Sequence, residues 1–495
     1  MRSKAVLAWL LWPVLLAETV LTLPWLWRTA PFTDEALYLR AGHQEWSHWL
    51  HQAALPDYAG RFSGAPVLYP PLGAAADSIG GLAAARGLSL IIMLGTTGFV
   101  YLACSRLFGR QAAFFAAALF AVSGLVVHNG AFATFNPLAL FLLTLGLWAA
   151  VKSRDGGYRW IAVCALALAI ANAAKYATLA WDPVVLAVVV LGAWDRGAAE
   201  ALRRGFSLAA TIAVLDAGFL MLGGANYLTG VKVTTVFRNI NFGTSEPPSV
   251  ILWRAFAITG ALVLPAIVGV AVSAARREPL PVTALLALLV LGALIAPIDQ
   301  AHLRQLGSLD KNMSFGLPFA AIAAGYAISA TIEWAGERLP AGRFAGIAAG
   351  AALILLVLIA GREQTVQFRG PSSTVAMEII AAIKNGYRRG SYIASDGAPW
   401  MEKYYLPQIP AQAWLGIFDP SPAQRARFSA RICTGRISLV ILRRFQDSYH
   451  HPYDYQIHKM MEHSRRYRLA VTAGQGHYST QVWQLVTSGG KGSCH

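Results

Sequence analysis

The sequence predicts a polytopic α-helical membrane protein with about eleven transmembrane helices and a C-terminal α/β domain on the far side of the bilayer. Three observations predict it. The 495 residues are 56% hydrophobic and 13% charged, with a mean hydropathy of +0.48. An average soluble domain is about 25% charged, so this chain lacks the charge to cover a water-facing surface. Apolar runs of bilayer-crossing length recur along the first three quarters, and Lys and Arg gather in every second turn between them.

The spans are expected at 5–27, 86–106, 111–128, 135–151, 159–176, 179–194, 205–223, 250–273, 280–297, 313–332 and 343–361. Arg2 and Lys4 ahead of the first run resemble a secretory signal, but Leu21 to Trp27 offers no small-residue cleavage site, so a retained anchor is expected. Basic clusters fall at Arg2/Lys4, Arg106/Arg110, Lys152/Arg154/Arg159, Arg196/Arg203/Arg204, Arg276/Arg277 and Arg338/Arg343. Short basic turns stay in the cytoplasm. The N-terminus is therefore expected there, in a multi-pass plasma or inner membrane protein. The long loops 28–85, 224–249 and 298–312 are expected outside, together with a soluble α/β domain at 362–495 that follows a membrane domain at 1–361.

The net charge of +16 comes in large part from those turns. The tail from 362 carries 17 Lys and Arg against 8 Asp and Glu, which suits anionic headgroups or polymers and equally a plain solvated surface. Nucleic acid is not an expected partner outside the cytoplasm. Cys104 and Cys164 lie in or near spans as packing residues, while Cys433 and Cys494 share the tail, where a disulfide is permitted. The tail should hold a helix at about 374–386 and strands at Arg436–Leu442 and Tyr478–Val486.

The first external loop carries the densest signal. Phe32 to Leu50 reads as a helix with Thr33 as N-cap, Asp34 and Glu35 in the first turn, and Leu39, Trp46, Trp49, Leu50 and Ala53 roughly on one interfacial face. Adjacent carboxylates just outside a span can take a proton from a hydroxyl or hold a divalent cation such as Mg or Mn. They also complement a helix dipole without further function. Gly60, Gly64 and Pro66 lead to Tyr69-Pro-Pro-Leu72, a turn back into the bilayer.

A second constellation is cationic. Arg86 begins the second span, Lys175 ends the fifth, and Arg304 and Lys311 lie in the third external loop with His302. Such cations can snorkel singly, but together they suit a phosphate at headgroup depth. His128, Asn129 and Asn136 flank the next external turn and could meet sugar hydroxyls or serve as loop caps. No phosphate-gripping Gly-rich loop, Ser nucleophile elbow or His-Glu-x-x-His is present, so no nucleotide or redox cofactor is expected.

These residues resemble the GT-C membrane glycosyltransferases, nearest the protein O-mannosyltransferase, aminoarabinose-transferase and Rgt-like group (glycosyltransferase family 39-like). The likeness rests on Asp34-Glu-Ala-Leu-Tyr-Leu-Arg-Ala-Gly42, Tyr69-Pro-Pro-Leu72, Ala85 through Leu-Phe-Gly-Arg110 to Gly124, and Phe132-Ala-Thr-Phe-Asn-Pro137 onward. Lys175-Tyr176 and Asp310 to Gly316 look like further landmarks.

The resemblance implies transfer of a sugar from a polyprenyl-phosphate carrier to a hydroxyl acceptor (glycan, lipid or protein) on the exterior face, with inversion. Asp34 would be the general base and Glu35 would position the acceptor or assist a metal. Arg86, Lys175, Arg304 and Lys311 would neutralise the departing phosphate, and Tyr69, His128, Asn129, Asn136 and His302 would contact substrate. Two departures bear on the donor. Tyr69 stands where many relatives have a basic residue, and Ala133-Thr-Phe-Asn136 stands where Ala-Arg-x-Asp is common. The sequence also admits two rival readings. One is a transporter or flippase of lipid-linked sugar, in which Asp216 would be central; the other is a catalytically silent GT-C-like assembly protein.

Overall fold

The computed structural model describes residues 10–235, 246–307, 309–367, 372–417, 422–445, 448–449, 452–464, 466–474 and 478–486. Arg2, Lys4, Arg238, Asn239, Asn241 and Cys494 lie outside them. The chain forms two compact units, Met1–Leu26 with Ala41–Phe368, and Trp27–Arg40 with Arg369–His495.

The first unit is helical. Its elements are α1 (Leu11–Thr22), most of α2 (Thr33–His51), α3 (Tyr69–Ala121), α4 (Gly124–Ala131), α5 (Phe135–Gly156), α6 (Tyr158–Ala174) and α7 (Asp182–Gly192). They continue with α8 (Ala198–Thr234), α9 (Pro248–Ala275), α10 (Leu280–Leu303), α11 (Leu309–Met313), α12 (Leu317–Arg338) and α13 (Gly342–Gln367). Among the described residues seven helices are long and apolar enough to cross a membrane: α3, α5, α8, α9, α10, α11 with α12, and α13. α6 and the stretch Tyr176–Gly192 are apolar but shorter.

A straight helix of 53 residues would run about 80 Å, far beyond a hydrocarbon core of about 30 Å. α3 instead breaks at Gly80–Gly81 and again at Gly109, whose φ of +84° favours glycine. Cys104 lies against Ile322 and Phe108 against Tyr326, but Ala112 and Ala116 return to Gly325. The chain therefore reverses at Leu107-Phe-Gly-Arg110, making two arms from the expected spans 86–106 and 111–128. The second arm ends at Ala121, so His128 and Asn129 lie on the separate helix α4, and the turn that they and Asn136 flank is the link 132–134.

Small residues set the packing. A Cβ on Gly325 would sit 2.4 Å from the Ala112 carbonyl oxygen, and one on Gly269 would sit 2.9 Å from that of Ala323. Close backbone approach of this kind drives helix association where lipid removes the hydrophobic incentive. Cys104 and Cys164 are free and fully buried, as packing residues should be. The basic turns meet at one end of the unit, where Arg106 pairs with Asp155 at 3.0 Å and Arg154 with Asp195 at 3.3 Å.

The second unit is a mixed α/β domain. Its strands are β1 (Tyr392–Ser395), β2 (Trp414–Gly416), β3 (Ile437–Phe445), β4 (Ser448–Tyr449), β5 (Tyr467–Ala473) and β6 (Tyr478–Leu485), ordered β2-β1-β3-β6-β5 with β4 on β3. β1 runs parallel to β2 and β3, while β6 is antiparallel to β3 and β5. The helices are α14 (Ser373–Gly386), α15 (Trp400–Tyr405), α16 (Pro422–Cys433) and α17 (Pro452–His463). β3 is central: Val440 and Leu442 join one core, and Leu439 and Ile441 the other. An unbroken apolar run is what a strand covered on both faces requires. Cys433 is disulfide-bonded.

The segment Trp27–Arg40 belongs to this unit. Thr29 bridges Ser372, and the Ser373 hydroxyl donates to the Trp27 carbonyl oxygen at 2.8 Å. Burial, and then the charge of Arg40, pull the Lys403 ammonium below its ordinary range, against the pull of Glu402.

Candidate functional site

In the first unit the short link between α4 and α5, residues 132–134, is the hub. Arg86 is fully buried and donates to the Leu26 carbonyl oxygen at 3.1 Å, with its guanidinium 5.2 Å from the Phe132 ring centre. It lies in the opening turns of the arm of α3 that follows the break at Gly80–Gly81, near the start of the expected span. The His128 ring packs 4.4 Å from Phe132. Burial, then the charges of Lys311 and Arg86, push His128 down to about 3. His128 is thus a neutral polar group near pH 7, and Arg86 and Lys311 supply the positive charge around it. Lys311 sits on α11, which packs on α4.

On the other side of the link, Tyr69 is buried with its hydroxyl 3.3 Å from Ser89 Oγ and its ring 5.9 Å from Phe135. Phe62 closes the same wall at 5.7 Å from Phe135. Pro70 and Pro71 fall in the first turn of α3, where their missing N–H groups cost nothing. Tyr69-Pro-Pro-Leu72 is therefore a helix start and not an open turn. Asn129 and Asn136 are both buried beside this wall, the latter in the first turn of α5.

Lys175 stands at a break. α6 ends at Ala174, Lys175 is extended, and a 3-10 turn follows from Tyr176. Segment 63–65 is stitched to it: the Ala65 N–H donates to the Ala173 carbonyl oxygen at 2.7 Å, and the Tyr176 N–H to that of Ser63 at 3.0 Å. A Cβ on Gly64 would lie 1.9 Å from the Ala174 carbonyl oxygen. Gly64→Ala is accordingly expected to force this junction apart, at a cost of about 1–3 kcal/mol, read as a lowered melting temperature. An unchanged melting temperature would show that the junction yields freely.

Arg304 and His302 are exposed, Arg304 in the left-handed region with its carbonyl oxygen accepting from Glu246 N–H at 3.0 Å. They are not gathered with the buried group.

Asp34 and Glu35 sit in the second unit, at the start of α2. Thr33 is the first helical residue and is exposed, so it is not the cap. Glu35 does the capping instead: it is fully buried, and its Oε2 accepts from the Phe32 N–H at 3.2 Å. Asp34 is half-buried. Leu39 is buried while Trp46, Trp49 and Leu50 are exposed, so the expected interfacial face begins beyond Leu39.

Sequence reasoning missed the aromatic wall of Phe62, Phe132 and Phe135, and a polar network of Asn172, Thr178 and Asp182. The signal for the latter was present, since Asp182 interrupts an apolar run.

Fold and buried cations together define the class: a polytopic membrane protein with the GT-C fold. The crystal structure of ArnT from Cupriavidus metallidurans bound to undecaprenyl phosphate matches over 98% of this chain and 99% of that one, at 14% identity and a TM-score of 0.63. The archaeal oligosaccharyltransferase AglB from Archaeoglobus fulgidus, in complex with an inhibitory peptide and a dolichol-phosphate, matches over 89% of this chain and 69% of that one, at 14% identity and a TM-score of 0.57. The mycobacterial arabinofuranosyltransferase AftD matches over 97% of this chain and 41% of that one, at 16% identity and a TM-score of 0.50. No protein family and no curated protein matches the chain by sequence.

Proposed function

We propose that the protein is a membrane glycosyltransferase that moves a sugar from a polyprenyl-phosphate carrier to a hydroxyl acceptor on the extracytoplasmic face, with inversion. The observation that carries this reading is the cationic pair of fully buried Arg86 and half-buried Lys311 beside neutral His128, in a fold shared with an undecaprenyl-phosphate-bound ArnT. Cations in a low-dielectric setting attract a phosphate strongly. Its charge grows as the sugar departs, and donors aimed at developing charge are the largest catalytic term in many enzymes.

In this reading Arg86 and Lys311 receive the leaving phosphate, and Lys175 contributes from its break. Tyr69, His128, Asn129 and Asn136 offer neutral hydrogen-bonding groups to the sugar. Tyr69 and Asn136 replace charged residues common among the relatives, so this site would hold its phosphate with fewer charges. Exposed Arg304 and His302 would act at the rim. Asp34 takes the acceptor proton as general base, and Glu35 holds the helix start that presents it.

For a divalent cation the donor set is thin. Glu35 already accepts a backbone N–H, and no group of three His, Cys, Asp or Glu gathers among the described residues. Mg or Mn there would complete its shell from water and the donor phosphate, and no step above is routed through it.

The test is transfer by purified protein from radiolabelled polyprenyl-phosphate sugars to native envelope extract. A labelled acceptor that requires Arg86 and Lys311 is expected. Movement of the donor across vesicles without a new glycosidic bond would replace this reading with the transporter.

A further inference from the structure

Behind the Lys175 break, the first unit holds a second polar group inside the apolar helices. Asn172 on α6 donates from Nδ2 to Asp182 Oδ2 at 2.8 Å and to Asp216 Oδ2 at 3.2 Å. Its own Oδ1 accepts from Thr178 Oγ1 at 2.8 Å, and that hydroxyl lies 2.9 Å from the Lys175 carbonyl oxygen. Asn172, Thr178 and Asp182 are at least nine-tenths buried. Asp182 Oδ1, a buried polar atom of this network, takes no hydrogen bond among the described residues, and the Tyr176 hydroxyl beside it turns to Tyr227. Next to them lies a cavity of about 90 Å³, lined by Asn172, Tyr176, Asp216, Phe219 and Tyr227 among others. It has room for about three water molecules at roughly 30 Å³ each.

Two carboxylate oxygens on one amide nitrogen lie within about 6 Å of each other, and inside an apolar bundle two negative charges do not persist so close. The amide supplies only partial charge. No Lys or Arg pairs with either carboxylate among the described residues, although Lys175 sits one turn away along the chain. The titratable groups facing the pair are the Cys164 thiol from α6 and the Tyr176 and Tyr227 phenols, none of which carries positive charge in any protonation state.

We propose that Asp182 and Asp216, bridged by Asn172, bind one monovalent cation, either as a proton or as an alkali-metal ion seated in the Tyr176–Tyr227 cavity. The bound charge keeps Asn172 in place. Asn172 holds the Thr178 side chain, the Thr178 N–H donates to the Lys175 carbonyl oxygen at 3.0 Å, and so the site fixes the break from which Lys175 projects.

The test reads stability and not transfer, so it stands or falls separately from the transferase reading. The full chain in detergent is melted from about pH 4 to about pH 8, the range over which a buried carboxyl gives up the proton that an exposed one has already lost, in sodium chloride and in choline chloride of equal ionic strength. In choline the native chain is expected to lose roughly 3 °C or more as pH rises, and Asp182→Asn and Asp216→Asn are expected to abolish that loss. Asp216→Glu, which keeps the charge, is expected to retain it. Rescue by sodium identifies an alkali ion; an equal fall in both salts identifies a proton. The proposal is overturned if the native chain shows no such fall, or if the Asn variants fall as it does. Should those variants fail to insert, loss of the fall in Asp216→Glu also overturns it.

Discussion

Asp34→Asn is expected to lower sugar transfer by about 10²–10⁴-fold while insertion and melting temperature stay close to native, because a general base contributes on that order. The side chain is half-buried and is not the acceptor of the Phe32 N–H, and an amide of the same shape keeps its volume and its acceptor oxygen. Glu35 behaves differently. Its carboxylate is wholly buried and holds the Phe32 N–H. Loss of activity in Glu35→Ala should therefore come with a lowered melting temperature, by analogy with other cap losses of about 0.5–2 kcal/mol. Transfer undiminished in Asp34→Asn would remove Asp34 from the chemistry.

The second large effect concerns the α/β unit. Arg443 on β3 donates to Asp396 Oδ1 at 3.0 Å, to Ser395 Oγ at 2.9 Å and to Glu402 Oε1 at 2.5 Å. Burial opposes its charge, but Glu402 and Asp396 outweigh that and hold the guanidinium above its ordinary range. Both carboxylates are fully buried. Arg443→Ala would strand two negative charges at once and is expected to destabilise the unit by about 3–5 kcal/mol. Hydrogen exchange across β1 and β3 should accelerate. Arg443→Lys should recover only part, since an ammonium lacks the fork that reaches three acceptors. Native exchange rates in Arg443→Ala would show that the triad contributes nothing.

Much of this architecture is legible from residue order. The helix expected at 374–386 is α14, and the two expected strands are β3 and β6, because long apolar or alternating runs carry their own period. β1 and β2 escape notice since strands of four and three residues are too short to show one. The GT-C fold was visible in motif order, although 14% identity leaves few residues in common. The site was partly visible. Arg86 and Lys311 stand out in the sequence as ionisable groups near spans, and the charges of both reach His128. His302 and Arg304 shared that sequence signal but stand in an exposed turn, a difference decided by tertiary packing and not by residue type. The Asn172 network was illegible as a whole, because Asp182 and Asp216 meet only through an amide that sequence spacing does not bring together.

The strand bridge between Thr29 and Ser372 has a consequence for biosynthesis. Trp27 and the Ser373 hydroxyl it receives are 346 residues apart. A chain made at about 5–20 residues per second leaves the ribosome with Trp27–Arg40 well ahead of its partners, by roughly 17–70 s. Throughout that interval the segment bearing Asp34 has no sheet domain to join. Its native setting is completed only after residues 372 and 373 have been made. A nascent chain halted just after α13 should therefore carry every long apolar helix among the described residues and still lack the partners of Trp27–Arg40, so that synthesis itself delays the setting of Asp34 until the sheet domain is made.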